Sequence, residues 1–222
     1  MISPEMNNFL ATKSHQFTAL VLAAGKAKRF GQDKRFAQLE NGQSLLQSSL
    51  AIYSDVVDEL AVVVSVLDEK NDLLPLQVNG KQVRYLYSYN CEKGMSNSLA
   101  DGVSQLDSLL NQQNHFLIAL ADMPFIRTET VAKLIKVFCS SQKSRPIVFP
   151  LIKTAADGDR RGHPVIFHNS YRSELGRLQG DEGAKQIITT YVDQVEPVYV
   201  DDESILIDID TPVDLNYPAR LK

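Results

Sequence analysis

Short apolar runs alternate with longer amphipathic stretches along most of this chain, and few folds satisfy that alternation. FTALVLAA (17–24), LAVVVS (60–65), VRYLYS (83–88) and HFLIALA (115–121) are compact and aliphatic, as strands buried on both faces must be. PIVFP (146–150), PVIFH (164–168), VEPVYV (195–200) and ILIDI (205–209) extend the series. Between them, Ser44–Tyr53, Ser96–Leu110 and Thr128–Cys139 place apolar residues three and four apart, the spacing of one helical face. Leu99, Val103, Leu106 and Leu110 show it most clearly. Glu182–Tyr191 reads as a shorter helix after a Gly-Asp turn. Strands alternating with helices imply an α/β fold with a mostly parallel sheet and helices on both faces. The later strands lie closer together, which implies some antiparallel pairing there.

A chain of 222 residues suits one such domain, and we place it at residues 17–222. Residues 1–16 read as a flexible N-terminal extension in which Phe9 and Leu10 could dock locally. That segment has neither the basic start nor the long apolar run of a signal peptide. No stretch reaches the roughly 18 apolar residues of a membrane span. The net charge of −4 gives no reason to expect nucleic acid as a partner. Cys91 and Cys139 form no C-x-x-C pair and the four histidines are scattered, which argues against zinc or iron–sulfur sites. Two free thiols fit a reducing cytoplasm.

In open α/β sheets, ligands bind beyond the carboxyl ends of the strands, so chemistry belongs just after the apolar runs. LAAGKAKRFGQDK (Leu22–Lys34) follows the first. Ala23, Ala24 and Gly25 let the backbone approach a ligand closely and aim N–H groups at phosphate oxygens. Arg29 and Lys34 add a forked donor and a mobile point charge. The loop lacks both the Gly-Lys-Ser/Thr ending of a P-loop and the G-x-G-x-x-G of dinucleotide folds. LADMP (120–124) puts Asp122 at the end of a buried strand, where a carboxylate is costly unless a cation neutralises it. Mg²⁺ suits such a place, because it takes one or two carboxylates plus phosphate oxygens and water. DIDTPVDL (208–215) repeats the arrangement, with Asp208 and Asp210 on the same side and Thr211-Pro212 able to start a helix.

The segment L-A-A-G-x3-R-F-G-x2-K resembles the signature of the MobA-like nucleotidyltransferases, and within them it is most similar to the molybdenum cofactor cytidylyltransferases. The resemblance extends through KGMSNSLADG (93–102), LADMP, RRGHPVIF (160–167), GDEGAK (180–185) and DIDTP, in family order. It implies a Rossmann-like three-layer nucleotidyltransferase fold. It also implies transfer of CMP from CTP to molybdenum-bound molybdopterin, with release of pyrophosphate. On this resemblance Leu22, Ala23, Ala24 and Gly25 supply backbone contacts to the triphosphate. Arg29 and Lys34 bind its β- and γ-phosphates, and Ser96 and Ser98 contact base, ribose or phosphate. Asp122 and Asp210 are the metal ligands, with Asp208 a further candidate, and Arg29, Lys34 and Asp122 carry the catalysis. Arg161, His163 and Asp181 lie on the acceptor side, beside Arg160. Phe30 stands where many family members carry methionine, and one residue fewer separates Gly31 from the lysine than in guanylyl members; both favour the cytidylyl branch. The same motifs serve GTP, or a sugar or alcohol phosphate acceptor. A nucleotide sensor or cofactor chaperone without catalysis is the reading from another class, and paired metal ligands speak against it. A molybdoenzyme or its maturation chaperone would be the protein partner. The polar stretch Lys153–Gly162 reads as a flexible loop.

Overall fold

The computed structural model describes residues 2–25, 30–109, 113–154 and 158–217. In chain order these form α1 (Pro4–Thr12), β1 (Phe17–Leu22), α2 (Leu45–Ser54), β2 (Glu59–Ser65), β3 (Gln77–Val78) and β4 (Lys81–Ser88). Then come α3 (Met95–Leu109), β5 (His115–Leu120), α4 (Thr128–Ser140), β6 (Ile147–Thr154), β7 (Gly158–Arg161) and β8 (Val165–Phe167). The short helices α5 (Arg172–Leu175) and α6 (Lys185–Thr190) precede β9 (Val195–Tyr199).

One sheet runs in the order β3-β4-β2-β1-β5-β8-β6-β7, with β9 beside β6. Its centre is parallel: β1 pairs with β2 and β5, and β2 with β4. The expected antiparallel section begins at β8, which opposes both β5 and β6. Residues of β1 alternate between two cores. Phe17, Ala19 and Val21 join Leu46, Leu50, Leu134 and Phe138 from α2 and α4. Leu20 and Leu22 join Leu99, Val103 and Leu106 from α3 on the other face. The α/β expectation holds, because a strand buried on both sides requires a helical layer on each.

Local chemistry fixes the helix starts. Ser44 and Gln47 close a reciprocal capping box at α2, where the side chain of each accepts the other's backbone N–H. In α3, a Cβ on Gly102 would lie 2.5 Å from a Val63 methyl, so the helix packs against β2 only with glycine there. At α4 the Thr-Glu-Thr segment does not cap itself. Asp202, far along the chain and 4% exposed, accepts from the Arg127 N–H and the Thr130 hydroxyl. An ionised carboxylate offers about four acceptor sites, twice those of a threonine hydroxyl, and so can serve both donors.

Within the N-terminal segment Pro4–Thr12 forms α1. Ser3 caps it, and Met6, Phe9 and Leu10 pack against the core. Two expectations are corrected. Lys153–Gly162 is not a loop throughout. β6 and β7 pair antiparallel from Leu151↔Arg161 to Thr154↔Gly158, with 155–157 outside the described residues. The polar sequence reflects an edge strand solvated along its length, not missing structure. ILIDI is not a strand: Glu203–Leu206 forms a 3-10 turn, and Ile207–Asp210 runs on without a ladder. Single bonds hold it, from the His163 N–H to the Ile205 carbonyl and from the Ile209 N–H to the Asp122 carbonyl.

Candidate active site

The parallel register puts Leu22 level with Val63 and with Leu120, so the chain leaves β1, β2 and β5 along one edge. The segments that follow β1, β4 and β5 converge on a cleft of about 810 Å³. Leu22, Ala23, Ala24, Gly25 and Lys34 line one part of it, and Leu120, Ala121 and Asp122 its floor. Gly94, Met95, Ser98 and Asp181 complete the far wall. The sequence-derived residues from the first loop, from LADMP and from GDEGAK are therefore brought together. Arg29 lies outside the described residues.

Beneath the cleft Phe30, Ala37, Leu45 and Ile209 form a small apolar cluster. It ties the first loop to the segment carrying Asp208 and Asp210. Asp214 adds a polar tie, since its carboxylate accepts from the backbone N–H groups of Asp210 and Thr211. The helix expected to start at Thr211-Pro212 is a 3-10 helix, Pro212–Asn216.

Asp122, Asp208 and Asp210 present carboxylate oxygens within 4.8 Å of one another. Asp122 Oδ1 is buried without a hydrogen-bond partner. Lys34 Nζ donates to Asp122 Oδ2 at 2.8 Å, to the Ile209 carbonyl at 2.7 Å and to Asp210 Oδ1 at 3.2 Å. Burial alone would pull the Lys34 ammonium down, but Asp122 and Asp210 outweigh it and hold it above its ordinary value. Three converging carboxylates and an orphaned buried oxygen are what a hard divalent cation accepts, so these residues fit one.

Ser98 faces the cleft, whereas Ser96 turns away and donates its hydroxyl to the Gly183 carbonyl at 3.2 Å. The segment 94–98 is bound to the turn 180–183. The Met95 N–H donates to Asp181 Oδ1 at 2.9 Å, the Ser96 N–H to the Gly180 carbonyl, and the Gly180 N–H to Asn97 Oδ1. Gly94 has φ +117°, and a Cβ there would lie 2.3 Å from the Gly180 oxygen. Asp181 thus caps α3 while bordering the cleft.

Arg161 and His163 are not among the residues lining that cleft. Arg161 is exposed on β7, its guanidinium 5.4 Å from the centre of the Phe149 ring. Burial, with Arg161 adding to it, pushes the His163 imidazole down to about 4, and its Nδ1 has no hydrogen-bond partner. His163, in the β7–β8 connection, instead supports the acidic segment through its backbone bond to Ile205.

Arg35 escaped the sequence reading. It lines the cleft and grips Asp33 and Asp68. Its neighbour Lys34 drew attention by motif, but nothing local signals that Asp68, thirty-three positions on, is its partner.

Nicotine blue oxidoreductase of Paenarthrobacter nicotinovorans is 27% identical over 198 residues, covering 87% of this chain and 92% of that protein. A "Probable molybdenum cofactor guanylyltransferase" of Methanosarcina acetivorans is 26% identical over 122 residues, 54% of this chain; the match spans about half (51%) of that protein's length. Among solved structures, Rv0371c of Mycobacterium tuberculosis H37Rv superposes with a TM-score of 0.70 at 24% identity, over 93% of this chain and 98% of that one. The same protein solved with manganese gives 0.66 at 22%, over 91% and 97%. The 4-diphosphocytidyl-2C-methyl-D-erythritol synthase of Anaerococcus prevotii gives 0.68 at 19%, over 99% of both chains. These structural likenesses establish the fold, a mostly parallel α/β sheet with helices on both faces. The model of the MobA-like NTP transferase domain matches residues 19–195, and this chain belongs to that family.

Proposed function

We propose that this protein is a divalent-cation-dependent nucleotidyltransferase that moves CMP from CTP onto the phosphate of molybdenum-bound molybdopterin, with residues 17–222 as its catalytic domain. One observation carries the reading. A lysine ammonium and three carboxylates meet at the mouth of a small-residue loop, at the carboxyl edge of a parallel sheet. The family membership and the guanylyltransferase relative support it. Phe30 and the short spacing to Lys34 favour the cytidylyl branch.

In this reading the backbone of Leu22–Gly25 borders the triphosphate and the N–H groups of Ala24 and Gly25 receive it, because the Ala23 N–H, contrary to the expectation, donates to the Val63 carbonyl. Arg29 and Lys34 neutralise charge on its β- and γ-phosphates, and Ser98 contacts the nucleoside, with Ser96 behind it. An oxygen of the acceptor phosphate attacks the α-phosphorus in line. The bond to the bridging oxygen breaks, and pyrophosphate leaves with its charge stabilised by Lys34. The acceptor phosphate is already ionised near neutral pH, so no general base is needed. Asp122 and Asp210, with Asp208, would hold Mg²⁺, which supplies charge neutralisation and alignment of phosphate oxygens when bound. Asp181 shapes the acceptor wall, and Arg161 and His163 act on the acceptor side from the β7–β8 connection. The reaction belongs in the cytoplasm, where a molybdoenzyme or its maturation chaperone would collect the product.

The test is a matrix of four nucleoside triphosphates against molybdenum-bound molybdopterin and common sugar and alcohol phosphates, read as pyrophosphate release. CTP with molybdopterin should give the highest kcat/KM. The oxidoreductase relative, matched over most of this chain, warrants a second reading. NADH or NADPH oxidation with no pyrophosphate release from any pair would favour it and overturn the first.

A further inference from the structure

We infer that Arg35 is a positioning residue: it clamps both ends of the first loop to the end of β2, and so sets where Lys34 points. The loop leaves β1 at Ala23 and returns at Asp33, where a 3-10 turn (Lys34–Phe36) begins. Arg35 reaches both ends. Its Nη1 donates to the Ala23 carbonyl at 3.4 Å and to Asp68 Oδ2 at 2.7 Å. Its Nη2 donates to Asp68 Oδ1 at 2.8 Å and to Asp33 Oδ2 at 2.5 Å, and its Nε to Asp33 Oδ1 at 2.9 Å. Asp68 sits in the 3-10 turn Val66–Asp68 that ends β2, with its own side chain only 10% exposed.

A guanidinium has five N–H donors, and here each has an acceptor. Arg35 lines the cleft, yet it has no donor left for a phosphate. It is therefore not a second Lys34. Burial disfavours the Asp68 carboxylate, and Arg35 more than offsets this, holding it below the usual range. The single positive charge of Arg35 offsets one of the two carboxylate charges, while its donors hold both the Asp33 and the Asp68 side chains in place. Lysine could reproduce the charge but not the two-armed geometry, since its ammonium is a single point on a flexible stem.

The consequence for Lys34 is direct, because it is the next residue and lies in the same turn. This part rests on the triphosphate reading. A small displacement of a catalytic group costs rate rather than binding.

The experiment has two arms. In the first, hydrogen–deuterium exchange is measured on wild type, Arg35→Lys and Asp68→Asn without ligand. Faster exchange confined to residues 23–25 and 30–37, with the melting temperature of the rest unchanged, supports the clamp. Unchanged exchange there overturns it, and this arm does not depend on any activity. In the second, pyrophosphate release from CTP is compared in wild type, Arg35→Lys, Lys34→Ala and the double variant. Arg35→Lys should lower kcat roughly ten- to a hundredfold with little change in KM for CTP, and should cost nothing further in Lys34→Ala. Additive losses would overturn the link to Lys34. Tighter CTP binding in Asp68→Asn would show a freed Arg35 acting as a phosphate ligand, which also overturns it. A wild type that releases no pyrophosphate would remove the triphosphate reading and leave the exchange arm to decide the clamp.

Discussion

The Lys34 ammonium lies 2.8 Å from Asp122, a contact between residues 88 positions apart in the chain. It joins the loop after the first strand to the end of the fifth. Asp210 and the Ile209 carbonyl complete the ammonium's surroundings. The cation is thus held by the same carboxylates that fit a divalent ion, and it offsets one of their charges in the folded protein.

Replacing Lys34 by glutamine should therefore do two things. Pyrophosphate release should fall roughly 10²- to 10³-fold, the scale of losing one charge-stabilising donor. Stability at pH 7 should also fall, because Asp122 and Asp210 lose their counter-charge. The folded value of Lys34 is raised above its ordinary 10.5, so its stabilising contribution is complete below pH 10.5 and fades as pH rises through the folded value. Urea unfolding of wild type and Lys34→Gln should differ at pH 7 and converge at strongly alkaline pH. A gap that widens with pH would contradict the assignment.

The acidic cluster makes a graded prediction about cations. Asp122 and Asp210 are partly buried and Asp208 is exposed. Asp122→Asn and Asp210→Asn should each weaken Mn²⁺ binding by more than the roughly 10- to 100-fold that loss of an outer-shell partner costs. Asp208→Asn should cost less. Paramagnetic titration with Mn²⁺ reads this without turnover, and EDTA should abolish pyrophosphate release in the wild type. Equal Mn²⁺ affinity in all three variants would remove these residues as ligands.

Much of this architecture was legible because its cause is local. Buried parallel strands have to be apolar throughout, so β1, β2, β4 and β5 stand out in the sequence, and ligand sites follow their ends. Asp122 was found that way. ILIDI misled for the same reason: alternation predicts an extended chain, but ladder pairing depends on what lies alongside, and this segment bonds through Ile205 and Ile209 to the loop residues His163 and Asp122. Asp202 and Arg35 stayed hidden because their meaning lies in distant partners, Thr130 and Asp68. The pairing of α3 with the turn 180–183 was equally unreadable, since Gly94 announces an unusual angle and not the carbonyl it meets.

That carbonyl makes Gly94 testable. Alanine would have to adopt φ near +117° and place its Cβ 2.3 Å from the Gly180 oxygen. Both effects disfavour it, so Gly94→Ala should destabilise the protein by more than about 1 kcal/mol in urea unfolding. The turn should separate from α3, breaking the Met95–Asp181 and Asn97–Gly180 bonds. KM for the acceptor should then rise more than KM for the nucleotide. Wild-type stability in Gly94→Ala would mean that the turn is not packed there.

Acid stability turns on a histidine far from the cleft. His115, 4% exposed at the start of β5, accepts the Asn169 N–H at Nδ1 and shares a 2.9 Å hydrogen bond with His15. Phe17 and Phe138 pack on its ring. Burial first, then His168 and His15, push it down to about 3. A proton on Nδ1 would oppose the Asn169 N–H, and no facing carboxylate contributes to its shift. The unfolded chain takes up that proton near pH 6.5, well before the folded one. Between pH 6.5 and about 3 the unfolded state binds more protons, so stability falls as pH falls across that window and levels off below it. His168 is lowered as well and acts with the same sign. His115→Asn should lose some stability at pH 7 through lost ring packing, yet show a shallower decline from pH 7 to pH 4 in urea unfolding. Parallel slopes in the two proteins would place the acid sensitivity elsewhere.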